Sequence, residues 1–164
     1  WAKLTCEYLA QIAFKKYGLK SICYRPFSGY GEDQDLNYPF PSICKRILQN
    51  KDKKKFTVWG SGNQMRDFIH IDDCVYGVIK SMNKIDNGDP LNLSNGIFLN
   101  FKDFAKKTAK IIGYNPKVVG TTNKPEGVFA RAGDTSKQKQ FGIKYKITLE
   151  NGIKKSLKFL DNKI

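Results

Sequence analysis

Hydrophobic residues recur at helical spacing in several stretches of the chain, and short apolar runs lie between those stretches. At the start, Leu4, Tyr8 and Ile12 fall on one face of a helix. Gly18 occupies the position that follows a helix end, where a left-handed backbone is favoured. The pattern therefore predicts a helix ending near Tyr17.

Apolar runs and capping residues predict the remaining elements. A short strand at Ser21–Tyr24, directly after the first helix, is typical of the end of a βαβ unit in a parallel sheet. Further strands are predicted at 56–59, 68–71, 91–93 and 118–119, and further helices at 41–49, from Asp72 to a stop at 87–90, at 100–113, at 134–142 and at 148–160. Asp72 is predicted to cap its helix, whose apolar face comprises Val75, Val78, Ile79 and Met82. The order of elements predicts an α/β fold.

Composition agrees with a folded domain. The chain has 164 residues, of which 40% are hydrophobic and 13% aromatic, enough to bury a core. No apolar run approaches the length of a membrane span, and no signal peptide opens the chain. The sequence opens on a tryptophan, which predicts that it is cut from something longer.

The four cysteines are widely spaced and form no C-x-x-C pair, so each is interpreted as a small buried hydrophobe. Free thiols of this kind predict a reducing compartment, the cytoplasm. No metal is expected, because His70 is the only histidine of the sequence and no cluster accompanies it. Since His70 lies inside an apolar run, it is predicted to be a core histidine with its hydrogen bonds satisfied.

The formal net charge of +14 favours an anionic partner, either a small molecule or a nucleic acid, or else merely a lysine-rich proteome. The lysines are scattered, and the one dense run, Lys51–Lys55, is interpreted as a solvated loop. Few arginines accompany that run and no RNA- or DNA-binding motif is present. Nucleic acid is therefore not the favoured partner.

The run Trp59–Asp73 joins a glycine turn, an arginine, an apolar strand and an acidic helix start. An exposed Trp59 would stack on a nucleobase, whereas the alternative is a tryptophan of the core. Arg66 supplies a planar charged fork that suits phosphate oxygens. The alternative for Arg66 is an ion pair with Asp67 or Asp72.

Three more segments stand in an order that, with this run, resembles the extended short-chain dehydrogenase/reductase family, the NAD-dependent sugar-nucleotide epimerases and dehydratases. Trp1–Leu4 followed by Glu7 is similar to the family's Y-x-x-x-K helix, and Arg25–Gly31 to its R-x-F-N-x-Y-G. Lys124–Lys137, closing with Phe141-Gly142, is similar to R-P-G-(x)n-R-x-x-D-x-S-K…L-G. The Pro-Glu-Gly-Val loop and Trp-Gly-Ser-Gly turn also resemble GDP-mannose 3,5-epimerases.

The resemblance implies roles for single residues near the cofactor. Lys3 matches the lysine that lowers the pKa of a catalytic tyrosine and bonds the nicotinamide ribose, but that tyrosine would lie two residues before Trp1. Pro26 and Phe27 would approach the nicotinamide. Ser28 would bond the substrate diphosphate, although the family usually has asparagine there.

The resemblance also implies substrate contacts in the later segment. Lys124 or Arg131 would reach the substrate phosphates, and Lys124 stands where the family has arginine, which weakens bidentate binding without removing the charge. Asp134 and Ser136 are predicted to cap the following helix.

The expected architecture is the last part of a doubly wound parallel sheet plus a smaller substrate-binding lobe. Residues 1–30 would hold the end of the catalytic helix and the next strand, and 31–164 mostly the substrate lobe. The sequence contains no G-x-G-x-x-G or G-x-x-G-x-x-G, so the dinucleotide-binding half is predicted to be absent.

The resemblance implies an enzyme that uses NAD or NADP to epimerise or dehydrate a nucleotide-sugar through a keto intermediate, and a homodimer as the full-length form. The 164-residue piece itself is expected to be inactive. The alternatives are a stand-alone module that binds a nucleotide-sugar or a protein, and an RNA-binding basic domain.

Overall fold

Helices and strands alternate along the chain in a computed structural model that describes residues 1–121 and 127–162. The helices are α1 (Ala2–Tyr17), α2 (Pro39–Leu48), α3 (Ile71–Ser81), α4 (Phe101–Ile111), α5 (Ser136–Gln140) and α6 (Leu149–Asp161). The strands are β1 (Ser21–Pro26), β2 (Gly29–Tyr30), β3 (Lys55–Trp59), β4 (Met65–Arg66), β5 (Ile69–His70), β6 (Asn87–Leu93), β7 (Leu99–Asn100), β8 (Lys117–Thr121) and β9 (Ala130–Arg131).

The first layer is a parallel pair of strands, β1 and β6, with a helix on each face. On one face, Arg25 of β1 forms an ion pair with Glu7 of α1. On the other, the hydroxyl of Tyr24 donates to the carbonyl of Val78 in α3 at 3.2 Å. Successive side chains of a strand point to opposite faces, so neighbouring residues of β1 reach different helices. The predicted α/β fold with a parallel sheet is confirmed.

The second layer is a lobe in which α2, α4 and α6 surround an aromatic core beside the parallel pair β3–β8. Phe104 of α4 is fully buried at its centre, 4.8 Å from the ring of Phe40 and 5.0 Å from that of Phe68. Gly152 of α6 leaves room for Tyr30, because a Cβ at that position would lie 1.9 Å from the Tyr30 hydroxyl. The core therefore joins elements that are far apart in the sequence.

Local capping chemistry fixes several helix ends as predicted. Gly18 follows α1 with φ of 68°, and its N–H reaches carbonyls of the last turn. Asn100 accepts from the N–H of Asp103 and donates back to its carboxylate, a reciprocal cap at the start of α4. Thr148 caps α6 through the N–H of Asn151.

The start of α3 differs from the prediction. His70, and not Asp72, is the capping residue, because its Nδ1 accepts from the N–H of Asp72 at 3.1 Å. The predicted strand at 68–71 shrinks to Ile69–His70, since Ile71 is already helical. At the far end, residues 87–90 do not end the element but open β6, which runs on to Leu93.

The start of α5 also differs in detail. The helix begins at Ser136 after Thr135, whose side chain makes no capping bond among the described residues. Asp134, the residue before Thr135, instead accepts hydrogen bonds through its carboxylate from the N–H and the hydroxyl of Ser136. These bonds lower the pKa of Asp134.

The predicted apolar face of α3 is largely exposed. Val75, Ile79 and Met82 are each about half-exposed or more, and the buried positions are instead small ones such as Gly77 and Ser81. A Cβ at Gly77 would lie 2.9 Å from the Leu93 side chain, so small residues let α3 approach the sheet closely. Of the four residues of the predicted face, Val78 packs against the core, and the other three remain largely exposed.

The same exposure extends to α1 and to the free edge of β1. Leu4, Tyr8 and Leu9 are more than half exposed, and none of the residues of α1 is buried. In the described part of the chain, β1 pairs with β6 alone. An open groove of about 980 Å³ lies between residues 29–38 and α3, and the end of β1 borders it through Tyr24 and Pro26.

The four cysteines differ in burial, which corrects the prediction that all of them are buried. Cys44 and Cys74 are buried, Cys23 is intermediate and Cys6 is exposed on α1. Burial raises the pKa of Cys44 to about 12, and burial beside Asp73 raises the pKa of Cys74 to about 11. At neutral pH, Cys44 and Cys74 are therefore almost entirely in the unreactive thiol form.

A thiol reagent should consequently separate these cysteines. At about pH 8, we expect the native chain to label fast at Cys6 and to protect Cys44 and Cys74 until it is unfolded. Mass spectrometry of the labelled peptides measures this, with Cys6→Ser as the control that removes the fast phase. Fast labelling of Cys44 in the native chain would contradict the described core.

None of the helices, over the described residues, is long and apolar enough to span a membrane.

Candidate functional site

Two arginines stand side by side on neighbouring short strands. β4 and β9 run parallel, and their register places Arg66 opposite Arg131. The N–H of Met65 donates to Phe129 at 2.7 Å, and the N–H of Asp67 donates to Arg131 at 3.2 Å. These bonds bring Arg131 from a distant segment onto the strand that carries Arg66.

The two guanidinium groups are close enough to repel each other. Burial, and then the charge of Arg131, lower the pKa of Arg66. The Nη1 of Arg66 donates to the carbonyls of Met65 and Val128, at 2.7 and 2.9 Å. Over the described ranges, neither arginine has a carboxylate oxygen within 4.0 Å. Paired positive charge without an acidic partner favours an anionic ligand.

Arg66 also borders a cavity of about 380 Å³ between α2, β3 and the start of α4. Its guanidinium lies over the ring of Phe101, 5.5 Å from the ring centre. The lining combines apolar side chains with a few polar ones: Leu36, Asn37, Pro39, Ser42, Ile43, Arg46, Val58, Trp59, Gln64, Arg66 and Phe101. A mostly apolar cavity with convergent polar groups is the usual form of a small-molecule site.

Trp59 lies at the end of β3, where a glycine turn leaves the strand. Its side chain is 58% exposed, so the alternative of a core tryptophan is wrong. Gly60 and Gly62 have φ of 63° and 72°, a left-handed backbone that other residues rarely adopt. A Cβ at Gly62 would lie 2.4 Å from the Val58 side chain, so the tight turn requires glycine.

The alternative of an ion pair for Arg66 is wrong as well. Asp67 is fully buried and accepts hydrogen bonds from the loop that follows β6, and the carboxylate of Asp72 contacts Lys155 at 3.1 Å. His70 is also fully buried, as predicted, but over the described residues the prediction that its hydrogen bonds are satisfied is wrong for one of its two ring nitrogens. Its Nδ1 is bonded, while its Nε2 lies 3.5 Å from a carboxylate oxygen of Glu32 without a hydrogen bond among the described residues.

Arg46 is a site residue that the sequence reasoning missed. It lies on α2, and its Nη2 donates to the carbonyl and hydroxyl oxygens of Thr57 while the guanidinium stacks on Phe56. Burial lowers the pKa of Arg46. Its position three residues after Ile43, on the edge of the apolar stripe of α2, is the signal that would have drawn attention to it.

The residues expected near a cofactor lie elsewhere. Lys3 is exposed in the first turn of α1, and Pro26 is exposed at the end of β1, beside the open groove. Phe27 packs against Gly133, where a Cβ would lie 2.8 Å from its ring. Ser28 has φ of 36°, the only positive φ of a non-glycine residue in the described chain. Asparagine tolerates this conformation better than serine does, so Ser28 carries local strain.

The structure thus gathers some predicted site residues and separates others. Trp59 and Arg66 border one cavity, and Arg131 stands beside Arg66. Lys3, Pro26, Phe27 and Ser28 do not line that cavity. Lys124 lies outside the described residues, so its predicted phosphate contact stays a prediction.

The sequence also matches a known protein family. A model of the NAD dependent epimerase/dehydratase family matches residues 1–95, more than half of the chain. The chain belongs to this family.

Individual relatives are distant and longer than this chain. The sequence is 26% identical over 164 residues to "Probable GDP-L-fucose synthase 1" of Oryza sativa subsp. japonica, covering 96% of this chain and 50% of the relative. It is 27% identical over 177 residues to the GDP-L-fucose synthase of Escherichia coli K12, covering 98% of this chain and 55% of the relative. The chain therefore spans about half the length of the curated relatives it matches.

A solved structure gives the same result for the fold. The UDP-glucose 4-epimerase of Thermotoga maritima, solved with UDP-glucose, superposes with a TM-score of 0.86 at 25% identity over 99% of this chain and 52% of that one. The narrower resemblance to GDP-mannose 3,5-epimerases stays a prediction.

Proposed function

We propose that this chain binds the diphosphate of a nucleotide-sugar between Arg66 and Arg131, with the nucleoside part in the cavity beside Trp59. The register that places Arg131 beside Arg66, a residue that lines that cavity, carries the proposal. Two planar guanidinium groups supply enough donors for the oxygens of a diphosphate. Arg46 and the polar side chains of the lining would then face the nucleoside.

The wider activity we propose is that of an NAD(P)-dependent epimerase or dehydratase acting through a transient keto sugar. When bound, NAD(P) takes a hydride from a sugar carbon and later returns it. Lys3, Pro26 and Phe27 would contact the nicotinamide end, and Ser28 the diphosphate. The sequence has no glycine-rich strand–turn–helix, so its residues fit one end of a dinucleotide and do not form a complete cradle.

The open edge of β1 supports the proposal that such an enzyme binds its cofactor and its substrate in two different parts of the chain. Residues 1–30 would extend a dinucleotide-binding sheet, and 31–164 would form most of the substrate lobe. A parallel strand added to β1 would pair with its open edge, and the chain that follows such a strand would cover the exposed apolar residues of α3. The exposed residues of α1 would lie in a homodimer interface of the full-length enzyme, and we place that enzyme in the cytoplasm.

Without that added sheet, the 164-residue chain should not turn over a nucleotide-sugar. In the family's motif the catalytic tyrosine stands four residues before the lysine, and for Lys3 that position precedes Trp1. Measurable epimerase or dehydratase activity of the chain alone would contradict this part of the proposal.

The relatives named above favour guanine as the base. The test is equilibrium dialysis of the chain with GDP-L-fucose, UDP-glucose and a single-stranded RNA oligonucleotide, each at low and high salt. We expect GDP-L-fucose to bind most tightly. RNA binding with a steep salt dependence and no nucleotide-sugar binding would support the basic-domain alternative and overturn this proposal.

Trp59 should report the bound base directly. Loss of base stacking costs about 1–3 kcal/mol, so Trp59→Ala should weaken GDP binding roughly fivefold or more. GDP should also change the fluorescence of the native chain. Trp1, which is fully exposed, provides the control: Trp1→Phe should keep both the affinity and the fluorescence change. A fluorescence change that survives Trp59→Ala would place the base elsewhere.

A further inference from the structure

Asp67 follows Arg66 in the chain and carries a carboxylate that is fully buried. Two backbone N–H groups donate to it, from Asn95 at 3.1 Å and from Gly96 at 2.8 Å. The hydroxyl of Ser94 donates to it as well. No lysine, arginine or histidine of the described chain lies within 4.0 Å of this carboxylate. Hydrogen bonds from one loop therefore replace the water that a buried carboxylate loses.

Ser94 extends this contact to the segment that follows Arg131. The hydroxyl oxygen of Ser94 accepts from the N–H of Gly133 at 3.0 Å. Gly133 permits this approach, because a Cβ there would lie 2.8 Å from that of Ser94. The side-chain amide of Gln138 holds Ser94 in turn, through bonds of 3.0 and 2.9 Å to its N–H and carbonyl.

The path Asp67–Ser94–Gly133 thus joins the two strands that carry the arginines. Asp67 is the residue after Arg66, and Gly133 is the second residue after Arg131. Both strands are two residues long, and β9 is exposed. A pair of two-residue strands offers few ladder bonds of its own.

Charge opposes the pairing that these bonds maintain. The charge of Arg131 helps to lower the pKa of Arg66, which is the signature of like charges held close together. In the absence of an anion, this repulsion favours separation of β9 from β4. The buried hydrogen bonds from Asp67 through Ser94 to Gly133, here called the clamp, offset that tendency.

From these contacts we infer that Asp67 and Ser94 are positioning residues that hold Arg131 opposite Arg66 before the diphosphate arrives. The inference rests on the proposed function for the identity of the ligand. Groups held in their binding geometry lose less entropy when the ligand binds, so the clamp should raise the affinity of the chain for a diphosphate. Neither Asp67 nor Ser94 needs to touch the ligand.

Ser94→Ala tests the inference with two readouts. The first is amide hydrogen exchange at Met65 and Asp67, whose N–H groups form the β4–β9 bonds, in the chain without ligand. We expect both amides to exchange about tenfold faster or more, because the strands separate more often. The second is GDP affinity, which should fall about tenfold, the upper part of the range for one buried hydrogen bond.

A double mutant with Arg131 distinguishes a positioning role of Ser94 from a general loss of stability in Ser94→Ala. In an Arg131→Gln background, Ser94→Ala should weaken GDP binding by less than about threefold, because the group it positions is gone. Ser156→Ala, at a buried serine of α6, is the control and should change neither readout. Should Ser94→Ala fail to fold, Asp67→Asn weakens the same contact from its other end, because it removes the charge of the acceptor with little change of volume.

Unchanged exchange at Met65 and Asp67 in Ser94→Ala would overturn the inference, and so would faster exchange with unaltered GDP affinity. Equal losses of affinity in the native and Arg131→Gln backgrounds would also overturn it. If the unmodified chain binds neither GDP nor pyrophosphate, the proposed function fails. The exchange data of the ligand-free chain still test whether Ser94 holds β9 against β4, because they do not depend on binding, so the two failures are distinguishable.

Discussion

Replacing Arg66 by alanine should weaken GDP binding by about 10- to 100-fold, the largest effect on binding expected in the chain. Hydrogen bonds to charged groups contribute about 1.5–3 kcal/mol each, and every 1.4 kcal/mol corresponds to tenfold in affinity. Arg66 lines the cavity and stands opposite Arg131 on the neighbouring strand, so its loss removes one side of the proposed diphosphate site. Isothermal titration calorimetry of the 164-residue chain measures the change.

Two variants give this prediction its controls. Arg66→Lys keeps the charge and loses the planar fork, so it should recover part of the affinity. Lys107→Ala removes a positive charge from α4, away from the arginines, and should leave GDP affinity within about twofold, since surface charges contribute little. A smaller effect of Arg66→Ala than of Lys107→Ala would show that GDP follows the overall charge of the chain.

Replacing Phe104 by alanine should lower the free energy of unfolding by about 3–5 kcal/mol, the largest stability effect we expect. Phe104 is fully buried and contacts the rings of Phe40 and Phe68, so truncation leaves a cavity between α2 and α4. For a chain of this size the midpoint of thermal unfolding should drop by about 6–20 °C. Urea unfolding followed by circular dichroism measures the free energy directly.

The matched control for Phe104 is an exposed phenylalanine of the same chain. Phe98 is 54% exposed, and Phe98→Ala should change the unfolding free energy by less than about 0.5 kcal/mol. Phe104→Leu should fall between the two, because it keeps most of the buried volume. Equal effects of Phe104→Ala and Phe98→Ala would mean that the aromatic rings do not form the core of the lobe.

Features encoded by neighbouring residues could be predicted from the sequence. Gly18 ends α1, and Asn100 with Asp103 starts α4, because a left-handed residue and a reciprocal cap act within one helical turn. The parallel pairing of β1 was predictable too, since a helix followed at once by a strand is typical of βαβ units. The resemblance to the family could also be recognised from the sequence, because four short motifs stand in the order that the family has.

Features that depend on distant contacts could not be predicted in this way. Helix α3 turns its larger apolar residues outward because Gly77 fits against Leu93, a contact that no local period contains. His70 caps that helix in place of Asp72 because its buried ring faces the helix start.

The candidate site shows the same division between local and distant information. The chemistry proposed for Trp59 and Arg66 follows from their residue types and spacing, whereas the cavity they share with Arg46 depends on how α2 packs on β3. The register of Arg131 with Arg66 joins segments 65 positions apart in the numbering, and the clamp through Ser94 joins a third. Long-range pairing of this kind leaves no periodic trace in a sequence.

The central claim is that a nucleotide diphosphate binds between Arg66 and Arg131, and the most direct test is to map GDP by nuclear magnetic resonance. In a titration of the labelled chain, we expect the side-chain signals of Arg66 and Arg131 and the indole N–H of Trp59 to shift together. Shifts confined to the lysine-rich groove between α4 and α6, lined by Lys107, Lys110 and Lys154, would contradict the account.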